Sequence, residues 1–168
     1  EGENTVSNFW QPVYPAQGEA RGEVALFLGC VARLTDVATL NAGIYVLNRL
    51  GYTVHVPSDQ VCCGAIHQHS GDLEQANDLA RRNQSVFAKF KTVIGSASGC
   101  GVQLLESGVA GEQAHIMDIS RFLVTAGGWE SVDIAALPQK ILVHEPCSLR
   151  NVLRDQAYPY RLIARIPG

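Results

Sequence analysis

The chain carries five cysteines in one ordered array: Cys30, then Cys62-Cys63-Gly64, then Cys100, then Cys147. Between Cys30 and Cys62 lie 31 residues, and between Cys63 and Cys100 lie 36. Each cysteine sits in a short motif with small or turn-forming neighbours: Leu28-Gly29-Cys30, Cys62-Cys63-Gly64, Ser98-Gly99-Cys100-Gly101 and His144-Glu145-Pro146-Cys147. Thiolates are soft donors that favour Zn, Cu(I) and iron–sulfur clusters. Glycines beside them permit unusual backbone angles and close approach of a bulky centre to the chain. The array reads as a metal site.

Composition narrows the alternatives. The 168 residues suffice for one domain with a hydrophobic core, or one and a fraction. A net charge of −3 and the lack of a basic stripe argue against nucleic acid as a partner. No apolar run approaches the roughly 18 residues needed to span a bilayer. Residues 1–21 lack a basic stretch followed by an apolar one, so they do not read as a signal peptide. An odd number of cysteines without such a leader points to a reducing compartment, hence a cytoplasmic protein using its thiols for metal or redox chemistry. Any membrane association is then peripheral, at the inner face and through partners.

The order of elements predicts an α/β fold, a parallel sheet built from βαβ units with helices on both faces. Residues 1–21, rich in Gly, Pro, Asn and Glu, read as a linker or a strap across the surface. Glu23–Leu28 is a nearly all-apolar run, as in a strand buried on both faces. Asp36 is a candidate N-cap for a helix carrying Leu40, Ile44, Leu47 and Leu50 at helical spacing, ended by Gly51. Thr53–Val56 is a second strand, Asp72–Phe90 a second helix, Thr92–Gly95 a third strand, and Gly101–Glu106 the start of a helix. A further helix covers Asp118–Ala126, and Lys140–His144 is a fourth strand. Cys30, Cys100 and Cys147 then follow strands, and Cys62-Cys63 lie in the loop after the second. All should share the carboxyl edge of the sheet, where open α/β sheets bind ligands and helix N-termini favour anionic groups.

An internal echo divides the chain. Val24-Ala-Leu-Phe-Leu-Gly-Cys30-Val-Ala-Arg33 matches Ile141-Leu-Val-His-Glu-Pro-Cys147-Ser-Leu-Arg150 in pattern, and Val46–Leu50 matches Leu162–Ile166. The expected organisation is a linker over 1–21, a first cysteine-rich unit over 22–139, and the start of a truncated second copy over 140–168. Cys147 is then the first ligand of a second site, or alternatively reaches the first.

These motifs closely resemble the cysteine-rich CCG domain, patterned as Cys, about 31–38 residues, Cys-Cys-Gly, about 35 residues, Cys-x-x-Cys. The strings Gly29-Cys30, Cys62-Cys63-Gly64-Ala65-Ile66-His67-Gln68-His69, Ala97–Gly101 and His144-x-Pro-Cys147-x-Leu149 look most like the iron–sulfur subunit of glycolate oxidase. Lactate-utilisation proteins and the cysteine-rich subunits of heterodisulfide reductase and anaerobic glycerol-3-phosphate dehydrogenase are similar too. The resemblance covers residues 22–168 and implies an electron-transfer module, non-catalytic in itself. It would serve a flavin-dependent complex that oxidises a 2-hydroxy acid such as glycolate or lactate, with a flavin-containing subunit among its partners. Two departures stand out. The position of the fifth cysteine that holds the noncubane cluster of heterodisulfide reductase is Gln103 here. The N-terminal ferredoxin-like domain of the glycolate oxidase subunit has no counterpart in this sequence, which makes residues 1–21 the tail of its linker.

Cys30, Cys62, Cys63 and Cys100 supply four thiolates, enough for a 4Fe–4S cube or a closed zinc site. The plain alternative is four structural cysteines behaving as small hydrophobes. Zinc stays open because the resemblance implies that some first repeats hold zinc, in which case the unit is a structural docking module. His69 and His67 are candidate further ligands, with helix capping or solvent exposure as their alternative. Backbone amides near Gly29, Gly64 and Gly101 are expected to tune the cluster through hydrogen bonds to sulfur. A thiol-redox role for vicinal Cys62-Cys63 ranks last, because adjacent cysteines rarely close an unstrained disulfide and no Cys-x-x-Cys is present. No nucleophile elbow, phosphate loop or dinucleotide fingerprint is legible, so no catalytic residue is assigned.

Overall fold

The computed structural model describes residues 10–109 and 114–168. Its sheet has five strands: β1 (Val13–Tyr14), β2 (Gly22–Phe27), β3 (Tyr52–His55), β4 (Thr92–Gly95) and β5 (His115–Asp118), in the spatial order β1-β3-β2-β4-β5. The last four run parallel, while β1 pairs antiparallel with β3 at the edge. Between them come α1 (Ala32–Thr35), α2 (Val37–Arg49), α3 (Ala65–Ser70), α4 (Leu73–Phe87), α5 (Ser98–Glu106), α6 (Ile119–Ala126) and α7 (Ala157–Ile163). From β2 the chain steps outward to β3, then returns past β2 to β4 and on to β5. The direction of winding reverses between β2 and β4. Their carboxyl ends diverge there and leave a crevice.

Side chains alternate across the sheet, so each strand feeds two cores. Val24, Leu26, Val54 and Ile94 point to one face, where Leu40, Ile44 and Leu47 of α2 and Phe122 and Leu123 of α6 cover them. Ala25, Phe27 and Val93 point to the other, against Ala80 and Phe87 of α4, Leu104 of α5 and the side chain of Cys63. The predicted α/β class with helices on both faces is the observed one. Buried on both faces, β2 is the central strand, with exposures of 1%, 0%, 1% and 3% from Val24 to Phe27.

Helix ends follow local chemistry. The Asp72 carboxylate accepts the Gln75 N–H at 3.3 Å and starts α4, and the Asp118 carboxylate accepts the Ser120 N–H at 2.9 Å and starts α6. Asp36 precedes α2 as expected but spends its carboxylate on the Thr39 hydroxyl rather than on a backbone N–H. Gly51 follows the end of α2 with φ +84, the left-handed angle that stops a helix. Arg21 donates to the Ala126 and Gly127 carbonyls at 2.6 and 2.9 Å, placing a cation on the carboxyl end of α6.

One strand needs correcting. Lys140–His144 forms no strand: it is irregular, with Ile141 54% and Leu142 98% exposed. An apolar run becomes a buried strand only where a neighbour offers it hydrogen bonds, and here none does. The fourth parallel strand is instead β5, four residues of modest apolarity recruited by β4 through Thr92–His115 to Gly95–Asp118 pairing. Cys147 therefore follows a coil. The segment read as linker or strap contributes β1 within its described part, and residues 1–9 lie outside the described residues. The short helices α1 and α3 were not expected. Among the described residues, no helix is long and apolar enough to cross a membrane.

Candidate metal centre

Three chain segments reach the crevice between β2 and β4. Gly29 leaves β2 with φ +76 and turns the chain so that Cys30 faces the crevice, while Cys100 stands in the first turn of α5 beyond β4. The loop from β3 to α3 brings Cys62 and Cys63, and Gly64, at φ +87, turns it into the helix. A side chain on Gly64 would stand 3.4 Å from the backbone of Ala76, so the loop rests directly on α4.

Two buried amides fix that loop. The Gln60 side chain accepts the Leu28 N–H at 2.7 Å and donates to the Leu26 and Pro57 carbonyls, both at 3.1 Å. It completes the backbone pairing of β2 beyond the end of β3. Asn83 of α4, fully buried, accepts the Val61 N–H at 3.0 Å and donates to the carbonyls of Val61 and Cys62 at 3.3 and 3.0 Å. Neither residue was singled out from sequence. Asn83 had left a trace: it interrupts the apolar stripe Ala76, Leu79, Ala80, Phe87, where a polar side chain must be hydrogen-bonded. Gln60 left none.

The four sulfurs stand as two pairs. Cys62 Sγ is 3.4 Å from Cys30 Sγ, and Cys63 Sγ is 3.3 Å from Cys100 Sγ. Cys63 is buried and the other three are half-buried. The Cys100 S–H donates to Cys63 and, against the effect of burial, draws the Cys63 thiol down to about 6, with help from the Ala65 N–H. The same contact pushes Cys100 upward, and burial adds to it. Burial pushes Cys62 up to about 11; the Gly64 N–H, 3.5 Å from its sulfur, opposes this, while donation to Cys30 reinforces it. Cys63 is thus held toward the thiolate, while Cys62 and Cys100 are held toward the thiol. A cation would release the remaining protons.

The donor set fits a thiophilic centre: four sulfurs, amide N–H groups aimed at two of them, and left-handed glycines before and after. Among the described residues no three His, Cys, Asp or Glu side chains yet close around a single ion.

The remaining candidates lie elsewhere. His67 engages the Asp72 carboxylate at 3.0 Å, and His69 is exposed on α3. Cys147 is exposed and joins neither sulfur pair. It precedes a π-helical turn, Ser148–Leu153, that lies along α5: the Ser148 and Ser98 hydroxyls are 2.7 Å apart. A Cβ at Gly101 would make an ordinary 3.7 Å contact with Leu153 of that turn, so the packing there does not require a glycine. Gln103 is buried in α5.

Residues 24–105 match the profile of the cysteine-rich domain family CCG. That stretch is a CCG domain. It runs from within β2 to within α5 and contains all four paired cysteines, Gln60 and Asn83. Over 92% of its length the whole chain is 31% identical to a probable glycolate oxidase iron-sulfur subunit of Bacillus subtilis. It is 30% identical to a fumarate reductase (CoM/CoB) subunit of Methanothermobacter marburgensis over 86% of the chain, and 25% identical to a lactate utilization protein of Geobacillus thermodenitrificans over 87%. The chain spans 38%, 29% and 66% of those three proteins. No solved structure matches it significantly.

Proposed function

We propose that the CCG domain binds an iron–sulfur cluster through Cys30, Cys62, Cys63 and Cys100 and serves as the electron-transfer module of an oxidoreductase complex. The observation that carries this reading is the convergence of four thiols from three loops on the switch point of the sheet. A 4Fe–4S cube uses four thiolate ligands and, when bound, accepts and returns single electrons. The chain's own groups hold and tune it. Gln60 and Asn83 fix the loop that presents two ligands, the Gly64 and Ala65 N–H groups steady the charge on Cys62 and Cys63, and Cys63 supplies the first thiolate.

The names of two relatives, a glycolate oxidase subunit and a lactate utilization protein, support a complex that oxidises a 2-hydroxy acid, and a flavin-containing dehydrogenase subunit as electron donor is part of the same proposal. In it the domain catalyses nothing alone and needs neither nucleic acid nor a membrane span. Residues 140–168 are the opening of a second repeat, a reading supported by the echo and by the bare apolar side chains of Ile141 and Leu142. A zinc-holding docking module is the second reading, favoured by the closeness of sulfurs within each pair.

Iron, acid-labile sulfide and zinc content of the anaerobically prepared chain decides. The expected result is about four irons and four sulfides per chain, lost in Cys62→Ser and retained in Cys147→Ser. One zinc without sulfide would replace this reading with the docking one.

A further inference from the structure

The two sulfur pairs have a property that ligand counting does not reveal. Each pair joins cysteines far apart in sequence: Cys30 with Cys62, and Cys63 with Cys100. At separations of 3.4 and 3.3 Å, each pair is about 1.3 Å from disulfide bonding distance. The neighbours Cys62 and Cys63 make their shortest sulfur contacts with different partners, although the Cys62 thiol also reaches Cys63. A bond between them would instead strain the peptide that joins them.

We infer that the metal-free domain closes into two specific disulfides, Cys30–Cys62 and Cys63–Cys100, making the centre a reversible thiol switch. The oxidant is a low-molecular-weight disulfide such as oxidised glutathione. In each pair one cysteine attacks the small disulfide, releases one small thiol and forms a mixed disulfide. Its partner then attacks the protein sulfur and releases the second. Two protein thiols are oxidised, one small disulfide becomes two thiols, and the two protons leave with them. Access sets the order in the second pair: half-buried Cys100 takes the small molecule and buried Cys63 resolves it. Closing both pairs removes all four thiols together, and a dithiol restores them. It also shields them from over-oxidation, which is irreversible. The pairing rests on the sulfur geometry alone. Its consequence for loading rests on the metal reading above.

The test treats the reduced, metal-free full chain with oxidised glutathione without oxygen, then counts thiols and maps disulfides by mass spectrometry. All four paired thiols should be lost to disulfides, while exposed Cys147, with no partner sulfur, stays free or carries one glutathione. Cys62→Ser should retain the Cys63–Cys100 link and leave Cys30 free. Cys63→Ser should retain Cys30–Cys62 and leave Cys100 free, and Cys100→Ala, which spares the buried position, should leave Cys63 free instead. A Cys62–Cys63 link, exchanged partners, or glutathione adducts that persist on Cys30, Cys62, Cys63 or Cys100 of the wild-type chain would overturn the proposal. In parallel, iron with sulfide, or zinc, is offered to the reduced and oxidised chains. Loading of the reduced form, blockage of the oxidised form and rescue by dithiothreitol are expected. Failure of the reduced chain to load any metal would sink the metal reading while the disulfide map still judges the pairing, and equal loading of the oxidised chain would overturn the switch.

Discussion

Val24–Cys30 and Ile141–Cys147 share one pattern, an apolar run, a turn residue and a cysteine, yet they meet opposite fates. The first becomes the central strand, buried on both faces, and delivers its cysteine to a crevice shared with three others. The second is an exposed coil whose cysteine stands alone on the surface. The difference lies in the neighbours. β2 has β3 on one side and β4 on the other, with α2, α4 and α6 above and below, whereas the later run has no strand to pair with. An apolar run specifies a capacity for burial, and the partners decide whether it is used.

The largest effect expected from that contrast falls on the strand itself. Leu26 is 1% exposed and packs in the core under α2 and α6. Leu26→Ala should lower stability by about 2–5 kcal/mol in urea denaturation of the reduced chain. A cost below about 1 kcal/mol would mean that β2 is not the structural centre and would weaken the comparison at its root.

The sulfur pairs supply a second test, through pH. The Cys63 thiol is lowered from 9.0 to about 6 when folded, so between those values the unfolded chain binds more protons and stability should climb with pH. This contribution is complete above 9 and disappears as pH falls through 6. Cys62, raised to about 11, and Cys100, also raised, act in the opposite sense: their contribution is present below 9 and lost as pH rises beyond it. The thiol part of the stability of the reduced, metal-free chain should therefore peak near pH 9. The difference in melting temperature between wild type and Cys63→Ser, followed across pH, isolates the rising limb. A flat difference would mean that the Cys63–Cys100 contact does not form.

Asn83→Ala comes next, with an expected cost of about 1–3 kcal/mol, because it strands backbone groups of Val61 and Cys62 away from water. It should also weaken zinc uptake in a competition titration while leaving all four thiols in place. Unchanged affinity would show that the loop holds its shape without Asn83.

How much was legible follows from which interactions are local. The cysteine frame, the α/β class and the gathering of four of the five cysteines were readable, because the βαβ rules translate element order into sheet-edge position; Cys147, expected with them, follows a coil instead. Asp72 and Asp118 as helix starts were readable because a cap acts over three residues. The strand β5 was not, since His115–Asp118 is short and owes its conformation to β4 across the sheet. Nor were the sulfur pairs: whether Cys62 turns to Cys30 or toward its own neighbour depends on loop angles set by Gly64 and by the Asn83 amide, 22 residues from Val61. Lys140–His144 misled for the converse reason, having a local pattern without distant partners.

Two glycines with nearly the same backbone angle refine the point. Gly64 and Gly71, at φ +87 and +85, flank α3, but only Gly64 rests against other backbone. Alanine at either should cost about 1–2 kcal/mol for the left-handed angle. Gly64→Ala should exceed Gly71→Ala and should alone slow metal uptake, because only the Gly64 N–H faces a sulfur. Equal effects on uptake would assign the sensitivity to α3 as a whole.

The smallest expected effect tests the other half of the comparison. Leu142, 98% exposed, touches too little for its removal to matter, so Leu142→Ser should change stability by no more than about 0.5 kcal/mol. Its neighbours argue the same way: the segment is tied down on either side of this run. Arg165 grips the Trp129 and Val132 carbonyls, the Leu137 N–H reaches the Pro167 carbonyl, and Asp155 meets Arg121 at 3.5 Å. These ties anchor the segment without enlisting the apolar run between them. A cost of about 2 kcal/mol or more that grew with protein concentration would show a second copy covering Ile141–Val143. The contrast between the two runs would then be one of when each finds its partner, not whether.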